Sequence, residues 1–383
     1  MTRSRTNSIG AVPSSGPLAV PWRDPNAGSM RHEASRNPEP RAPLGMTSVA
    51  SARRCVDHVA CLVALLLGWI SPLHAQPRPA VGLSTFTVEA ADGDEAFPVT
   101  VYYPATGAVG STREGRFTVP ATRDAPAANG PFPLIVISHG SGASPISHWD
   151  TAAHLAASGF VVALPRHPRD HEGDTGGVWS DVTLMGRPRQ IARAIDTVLA
   201  RAVPRIDAGR IGLIGFSAGA YAGLVTMGAV PDFDLPRRHC TEAWSPTAFC
   251  RNAGRGGIRR ERPDWTARSD PRVSAAVLMA PALTILFDRA GLASTRGPLR
   301  LYFAEKDEAV STDIALDHLR RLLPVAPEIV VLPKAGHLVF VAPCPPGLDL
   351  PVCRDPPGVD RSAVHRKMNA EIVDFFARAW ATR

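Results

Sequence analysis

The chain has 383 residues, 45% of them hydrophobic and 20% charged, a balance that suits a soluble globular protein able to bury a large core. Its formal charge of +7 is concentrated at the start, where residues 1–75 carry eight Arg against four acidic residues, leaving 34 Lys and Arg against 31 Asp and Glu beyond them. No Lys/Arg cluster interleaved with aromatics remains in that body, which excludes the footprint of a nucleic-acid partner.

Residues 1–45 hold seven prolines and almost no periodic apolar pattern, the composition of a disordered extension. Met46 is an alternative start, because residues 46–75 read as a signal peptide: Arg53 and Arg54, an apolar run from Val59 to Ile70, then Ser71-Pro72-Leu73-His74-Ala75 as a cleavage region. As a helix that run spans about 18 Å, short of the roughly 30 Å hydrocarbon core, so no stable membrane span is expected and the mature chain is placed in the periplasm or outside the cell. Export changes the meaning of the cysteines. Four remain after cleavage, in two local pairs, and an oxidising compartment favours the disulfides Cys240–Cys250 and Cys344–Cys353. The pairs are too widely spaced for the gaps of about two to four residues found in structural zinc sites.

From residue 76 onward, short apolar runs alternate with helical patterns. Strands are expected at 84–90, 97–103, 133–138, 160–165, 211–216, 273–279, 299–304 and 328–332. Helices are expected at 190–202, 314–323 and 361–380, each with apolar residues at helical spacing. Alternation of this kind implies an α/β fold with a mostly parallel eight-stranded sheet covered by helices on both faces, formed by one domain spanning 76–383. Two stretches fit neither pattern. Residues 107–130, rich in Gly, Ala, Thr and Pro, are expected to be a surface loop. Residues 232–270 form an insertion carrying the first cysteine pair and two tryptophans, readable either as a lid over the site or as a surface excursion.

In open parallel sheets ligands bind beyond the carboxyl ends of the strands, so the residues after each strand carry the functional signal. His139-Gly140-Ser141-Gly142 follows the third expected strand, and Gly215-Phe216-Ser217-Ala218-Gly219 follows the fifth. Glu305-Lys306-Asp307-Glu308 follows the seventh, and Lys334-Ala335-Gly336-His337 the eighth. The G-x-S-x-G pentapeptide between an apolar run and a small-residue segment fits a tight strand-to-helix turn that exposes a serine hydroxyl. A serine, an acid and a histidine, in that order and each past a strand end, are what a hydrolytic triad requires on this architecture. The acid position is contested locally by Glu305 and Glu308, and remotely by Asp288. His139 is read as a brace for its loop. His167, Asp170, His171, Glu172 and Asp174 form a short cluster that reads as a solvated loop, since no H-E-x-x-H or calcium-loop pattern is present.

The runs 133–140, 215–219, 301–307 and 335–340 together resemble an α/β-hydrolase. Within that superfamily they are similar to the predicted dienelactone hydrolase and platelet-activating-factor acetylhydrolase group, over roughly Thr85 to the C-terminus. The resemblance implies Ser217 as nucleophile, Asp307 as acid and His337 as base, with the main-chain N–H groups of Ser141 and Ala218 as the oxyanion hole. Dienelactone hydrolases proper use cysteine where this chain has Ser217, so lactone hydrolysis is not implied. The expected function is a serine carboxylic ester hydrolase acting on a small-molecule or lipid ester, with no cofactor or metal required. Acyl transfer through the same acyl-enzyme, or ligand binding without turnover on the same fold, are the alternatives.

Overall fold

In the computed structural model, which describes residues 79–201, 204–236, 238 and 257–381, the longest apolar runs form the middle of one sheet. The expected extension at 1–45, the signal segment at 46–75 and the pair Cys240–Cys250 lie outside the described residues. The strands are β1 (Ala80–Val88), β2 (Phe97–Ala105), β3 (Thr112–Glu114), β4 (Phe117–Val119), β5 (Thr122–Arg123) and β6 (Phe132–Ser138). They continue as β7 (Val161–Pro165), β8 (Ile206–Phe216), β9 (Val273–Met279), β10 (Leu299–Ala304) and β11 (Glu328–Leu332). All eight expected strands are present. They lie, with β5 added as a ninth, in the order β11-β10-β9-β8-β6-β7-β2-β1-β5.

From β7 to β11 the pairings are parallel, while β2 runs antiparallel to both β7 and β1. β6, β7 and β9 read as continuous apolar runs because helices cover both of their faces. Their side chains alternate between two cores: Leu134 and Val136 face one, Ile135 and Ile137 the other. Helix α1 (Trp149–Ala157) and the C-terminal α5 (Arg361–Ala381) pack on the second of these faces, where Leu155, Ile372, Phe375 and Phe376 are fully buried. Helices α2 (Gly186–Leu199), α3 (Ala218–Thr226) and α4 (Thr312–Leu322) cover the first. Ile191, Ile195 and Val198 of α2 recur at one helical face and are buried there. Among the described residues no helix is long and apolar enough to cross a membrane.

The stretch expected to be a loop, 107–130, contains the β3–β4 hairpin and β5. Strands of two or three residues are too short to show a two-residue period, and only Val119 and Ala121 of this region are buried apolar residues. Of the expected insertion, 237 and 239–256 lie outside the described residues. Ile258 and Trp265 on its far side are buried in the core. Cys344 and Cys353 form a disulfide with Cα atoms 5.6 Å apart.

β7 lies on one side of β6 and β8 on the other, so the chain reverses its direction of travel across the sheet between these strands. Such a switch point opens a crevice at the carboxyl ends of the two strands, because their following loops diverge to opposite faces. The turns after β6 and β8 carry Ser141 and Ser217.

Candidate active site

Ser217 closes β8 and opens α3 with φ 54° and ψ −114°, a backbone conformation that side-chain-bearing residues rarely adopt. Its N–H donates to Met279 O of β9 at 2.9 Å, which holds the turn against the sheet. The flanking glycines are required by space. A Cβ on Gly215 would lie 2.3 Å from Gly219 O, and one on Gly219 would lie 2.0 Å from Ser138 O. Both obstacles are main chain, which cannot move aside without parting α3 from β8 or from β6. Gly219→Ala is therefore expected to destabilise the fold by about 3 kcal/mol, at the upper end of overpacking costs, and to lower the midpoint in a urea titration.

The acid and histidine meet because the loops after β10 and β11 are laced together. Glu305 N donates to Leu332 O at 3.0 Å, Lys306 N to Ala335 O at 2.8 Å, and His337 N to the Glu308 carboxylate at 3.0 Å. His337 Nδ1 lies 2.8 Å from Asp307 Oδ2, and His337 Nε2 lies 3.1 Å from Ser217 Oγ. Asp307 Oδ1 accepts from the N–H groups of Ala309 and Val310 at 2.9 and 2.7 Å, so its carboxylate has one fixed orientation. The rival acids are engaged elsewhere: Glu305 accepts from Lys334 N, Glu308 from His337 N, and Asp288 from Gly291 N at the start of a short helical turn. Phe216 packs its ring 4.9 Å from the imidazole of His337. On the far side, His365 of α5 bridges the Asp150 carboxylate at 2.6 Å and Val339 O at 2.8 Å, bracing the turn that carries His337. The three residues proposed from their chain order thus converge, each from the carboxyl end of a different strand.

Ser141 and Ala218 line the same cavity as Ser217, and among the described residues neither of their N–H groups donates to a protein acceptor. The turn that presents Ser141 rests on a buried polar network. Arg187, 1% exposed on the first turn of α2, donates to Asp170 Oδ2 at 2.8 and 3.0 Å, to His139 O at 2.5 Å and to Gly140 O at 3.3 Å. Asp170 Oδ1 in turn accepts from Ser141 Oγ at 2.7 Å and Gly142 N at 2.8 Å. Burial by itself would raise the Asp170 carboxyl. Arg187 and the donors from the Ser141 turn outweigh it and hold the group below its ordinary value.

Two histidines behind this turn are buried. His167 Nδ1 donates to Gln190 Oε1 at 2.7 Å, which leaves Nε2 to accept from the Ser138 hydroxyl at 2.8 Å. His139 Nδ1 donates to Gly140 O at 2.8 Å, and its Nε2 accepts from His167 N. Burial, with Arg187 nearby, pushes His139 down to about 3 and His167 well below its usual range, so both rings are neutral. His139 is thus a brace for its loop, as expected. The expectation of a solvated loop at 167–174 needs correction: His167 and Asp170 are buried, while Glu172 and Asp174 are exposed. The isolated bridge His171–Asp174 turns the chain so that only the second half of this cluster meets solvent. Among the described residues no group of His, Cys, Asp and Glu converges as a metal site.

Comparison with known proteins accords with this fold. A model of the alpha/beta hydrolase family matches residues 135–345, from within β6 to past β11. The chain belongs to that family. No curated protein sequence matches it significantly. Among solved structures, a ferulic acid esterase from Streptomyces cinnamoneus shares the fold at 18% identity, with a TM-score of 0.58 over 80% of this chain and 92% of that one. These matches stay at the level of the superfamily and do not single out its dienelactone hydrolase group.

In this alpha/beta hydrolase a cavity of about 720 Å³ opens beside Ser217. Its wall is mainly apolar, built by Val178, Leu184, Leu283, Phe287, Val310 and Ile314. Phe287 is backed by the stacked ring of Tyr221, 5.5 Å away on α3. Ile314 opens the expected helix 314–323, whose apolar residues recur at helical spacing. It is 46% exposed and points into the cavity wall. Arg187, Gln190 and Asp94 were not singled out from the sequence. Arg187 and Gln190 sit on the first two turns of α2, where polar residues normally face water, and only the fold reveals that these turns are covered.

Proposed function

We propose that the protein is an exported serine ester hydrolase that works through an acyl-enzyme on Ser217. The observation that carries this reading is the unbroken chain from Ser217 Oγ to His337 to Asp307 at hydrogen-bonding distances, opening on an apolar cavity. A serine hydroxyl becomes nucleophilic only as a base removes its proton, and His337 Nε2 is in position to take it. Asp307 holds the ring with its proton on Nδ1 and stabilises the imidazolium as Ser217 attacks the ester carbonyl. The N–H groups of Ser141 and Ala218 receive the oxyanion. The proton on His337 then passes to the departing alcohol, and water, activated by the same nitrogen, releases the acid.

The ferulic acid esterase that shares the fold supplies an ester-cleaving precedent, and the Cys344–Cys353 disulfide suits an oxidising compartment. The size and lining of the cavity favour an apolar acyl or alkoxy group of some bulk, well beyond acetate. A panel of p-nitrophenyl esters of graded acyl length tests both points, using the chain without residues 1–75. Turnover should rise from acetyl toward octanoyl. Ile314→Trp, which narrows the cavity from its half-exposed wall, is expected to lower the octanoyl-to-acetyl ratio of kcat/KM by about tenfold, equivalent to roughly 1–2 kcal/mol of lost pocket contact. Absence of turnover across the panel, with no labelling of Ser217 by a fluorophosphonate, would remove the hydrolase reading.

A further inference from the structure

We propose that Arg187 and Asp170 are positioning residues for the oxyanion hole, acting together as a buried clamp that sets the direction of the Ser141 N–H. This inference rests on the ester-hydrolase reading above and adds a second set of groups to it. The turn after β6 has few constraints of its own. Ala143 N donates to Gly140 O at 3.3 Å, a long bond, and Gly142 has a positive φ of 66°. What fixes the turn comes from outside it. The Arg187 guanidinium holds the two carbonyls that precede Ser141, those of His139 and Gly140. The Asp170 carboxylate holds the Ser141 hydroxyl and the N–H that follows it, that of Gly142. The peptide between Gly140 and Ser141, at the cavity wall, is therefore gripped on both sides, by groups themselves joined through two bonds between guanidinium and carboxylate.

The grip is in turn anchored at depth. Ser138 Oγ donates to His167 Nε2 at 2.8 Å and accepts from Arg187 at 3.4 Å, and Gln190 ties His167 to Asp94, which also pairs with Arg193 at 3.3 Å. Oxyanion donors act only when aimed in advance at the position the charge will occupy, and a small misdirection forfeits much of their effect. A planar guanidinium can hold the carboxylate through two N–H groups while others reach the carbonyls. A lysine ammonium, as a point donor on a flexible stem, cannot satisfy that set. Ser141 has a double part here: its N–H, unbonded within the described residues at the cavity wall, is the proposed oxyanion donor, while its hydroxyl is a strap to Asp170. Its side chain is therefore not freely replaceable.

The test measures kcat, KM and two dissociation constants for the wild type, Arg187→Lys and Ser141→Ala. One ligand is a trifluoromethyl ketone, whose adduct with Ser217 carries the oxyanion. The other is the ether analogue of the same ester, which carries none. For Arg187→Lys, kcat is expected to fall by about 10- to 100-fold and ketone affinity by a similar factor, below the full loss of an oxyanion donor, while KM and ether affinity stay within about twofold. Ser141→Ala, which removes one partly exposed strap and leaves the buried ion pair intact, is expected to fall by about three- to tenfold in the same two quantities. If Arg187→Lys does not fold, Ser141→Ala decides the matter. Folded variants with unchanged kcat, or with equal losses of ketone and ether affinity, would overturn the positioning role. A wild type that cleaves no ester would instead overturn the hydrolase reading itself.

Discussion

Ser217→Ala is expected to lower kcat/KM by about 10⁴- to 10⁶-fold and to leave the fold intact. The loss is large because acylation needs the oxygen itself, and no neighbouring hydroxyl among the described residues lies within reach of His337 Nε2. Residual activity would come from the oxyanion donors and the cavity, which still bind and polarise an ester that water attacks directly. The fold should be indifferent, since alanine keeps the Cβ that the φ of 54° already tolerates and the main-chain bond to Met279 O is untouched. Steady-state kinetics on the best p-nitrophenyl ester, together with circular dichroism and loss of fluorophosphonate labelling, check the outcome. A variant retaining more than a hundredth of wild-type kcat/KM would remove Ser217 from the nucleophile role.

Asp307→Asn is expected to be nearly as damaging, with kcat down by about 10³- to 10⁴-fold, although it changes the shape of the side chain very little. Asp307 Oδ1 accepts from the N–H groups of Ala309 and Val310, so asparagine must keep its carbonyl oxygen there. Its amide nitrogen then faces His337 Nδ1, which has to accept that hydrogen bond. The ring proton is thereby displaced to Nε2, opposite Ser217 Oγ, and a nitrogen that already carries a proton cannot take another from the serine. The damage is to proton transfer and not to substrate binding, so KM should change by less than about threefold. A crystal structure of the variant with unchanged loop positions, combined with kcat within tenfold of wild type, would count against Asp307 as the orienting acid.

The residues that carry these effects were legible before any coordinates because each sits in a signal that survives locally. Gly215 and Gly219 around Ser217 report a close approach of strand and helix, and the short distances a Cβ there would have to Gly219 O and Ser138 O are that approach seen in space. The apolar runs of β6 to β9 report strands buried on both faces. The hairpin of β3 and β4 was not legible, because three-residue strands hold too little period. Nor was the burial of His167 and Asp170, since a run of His, Asp and Glu has the composition of a solvated loop whichever of its members turns inward. Arg187 is the sharpest case: on a helix written Gly-Arg-Pro-Arg-Gln, nothing distinguishes the arginine that is 1% exposed from Arg189, two positions on, which is partly accessible.

Sequence alone determined the α/β architecture, the chain order of a serine, an acid and a histidine, and the strand ends on which they stand, because these follow from hydrophobic periodicity and from glycines that sterics demand. Tertiary structure alone decided that the Asp307 carboxylate meets His337 while Glu305 and Glu308 bond main-chain N–H groups, that Ser141 is strapped to a buried ion pair, and that an apolar cavity opens beside the serine. Those outcomes depend on distances between segments remote in the chain. Hydrogen bonds such as Lys306 N to Ala335 O, or Arg187 to His139 O, join loops from different strands, and no local pattern encodes which of them will meet.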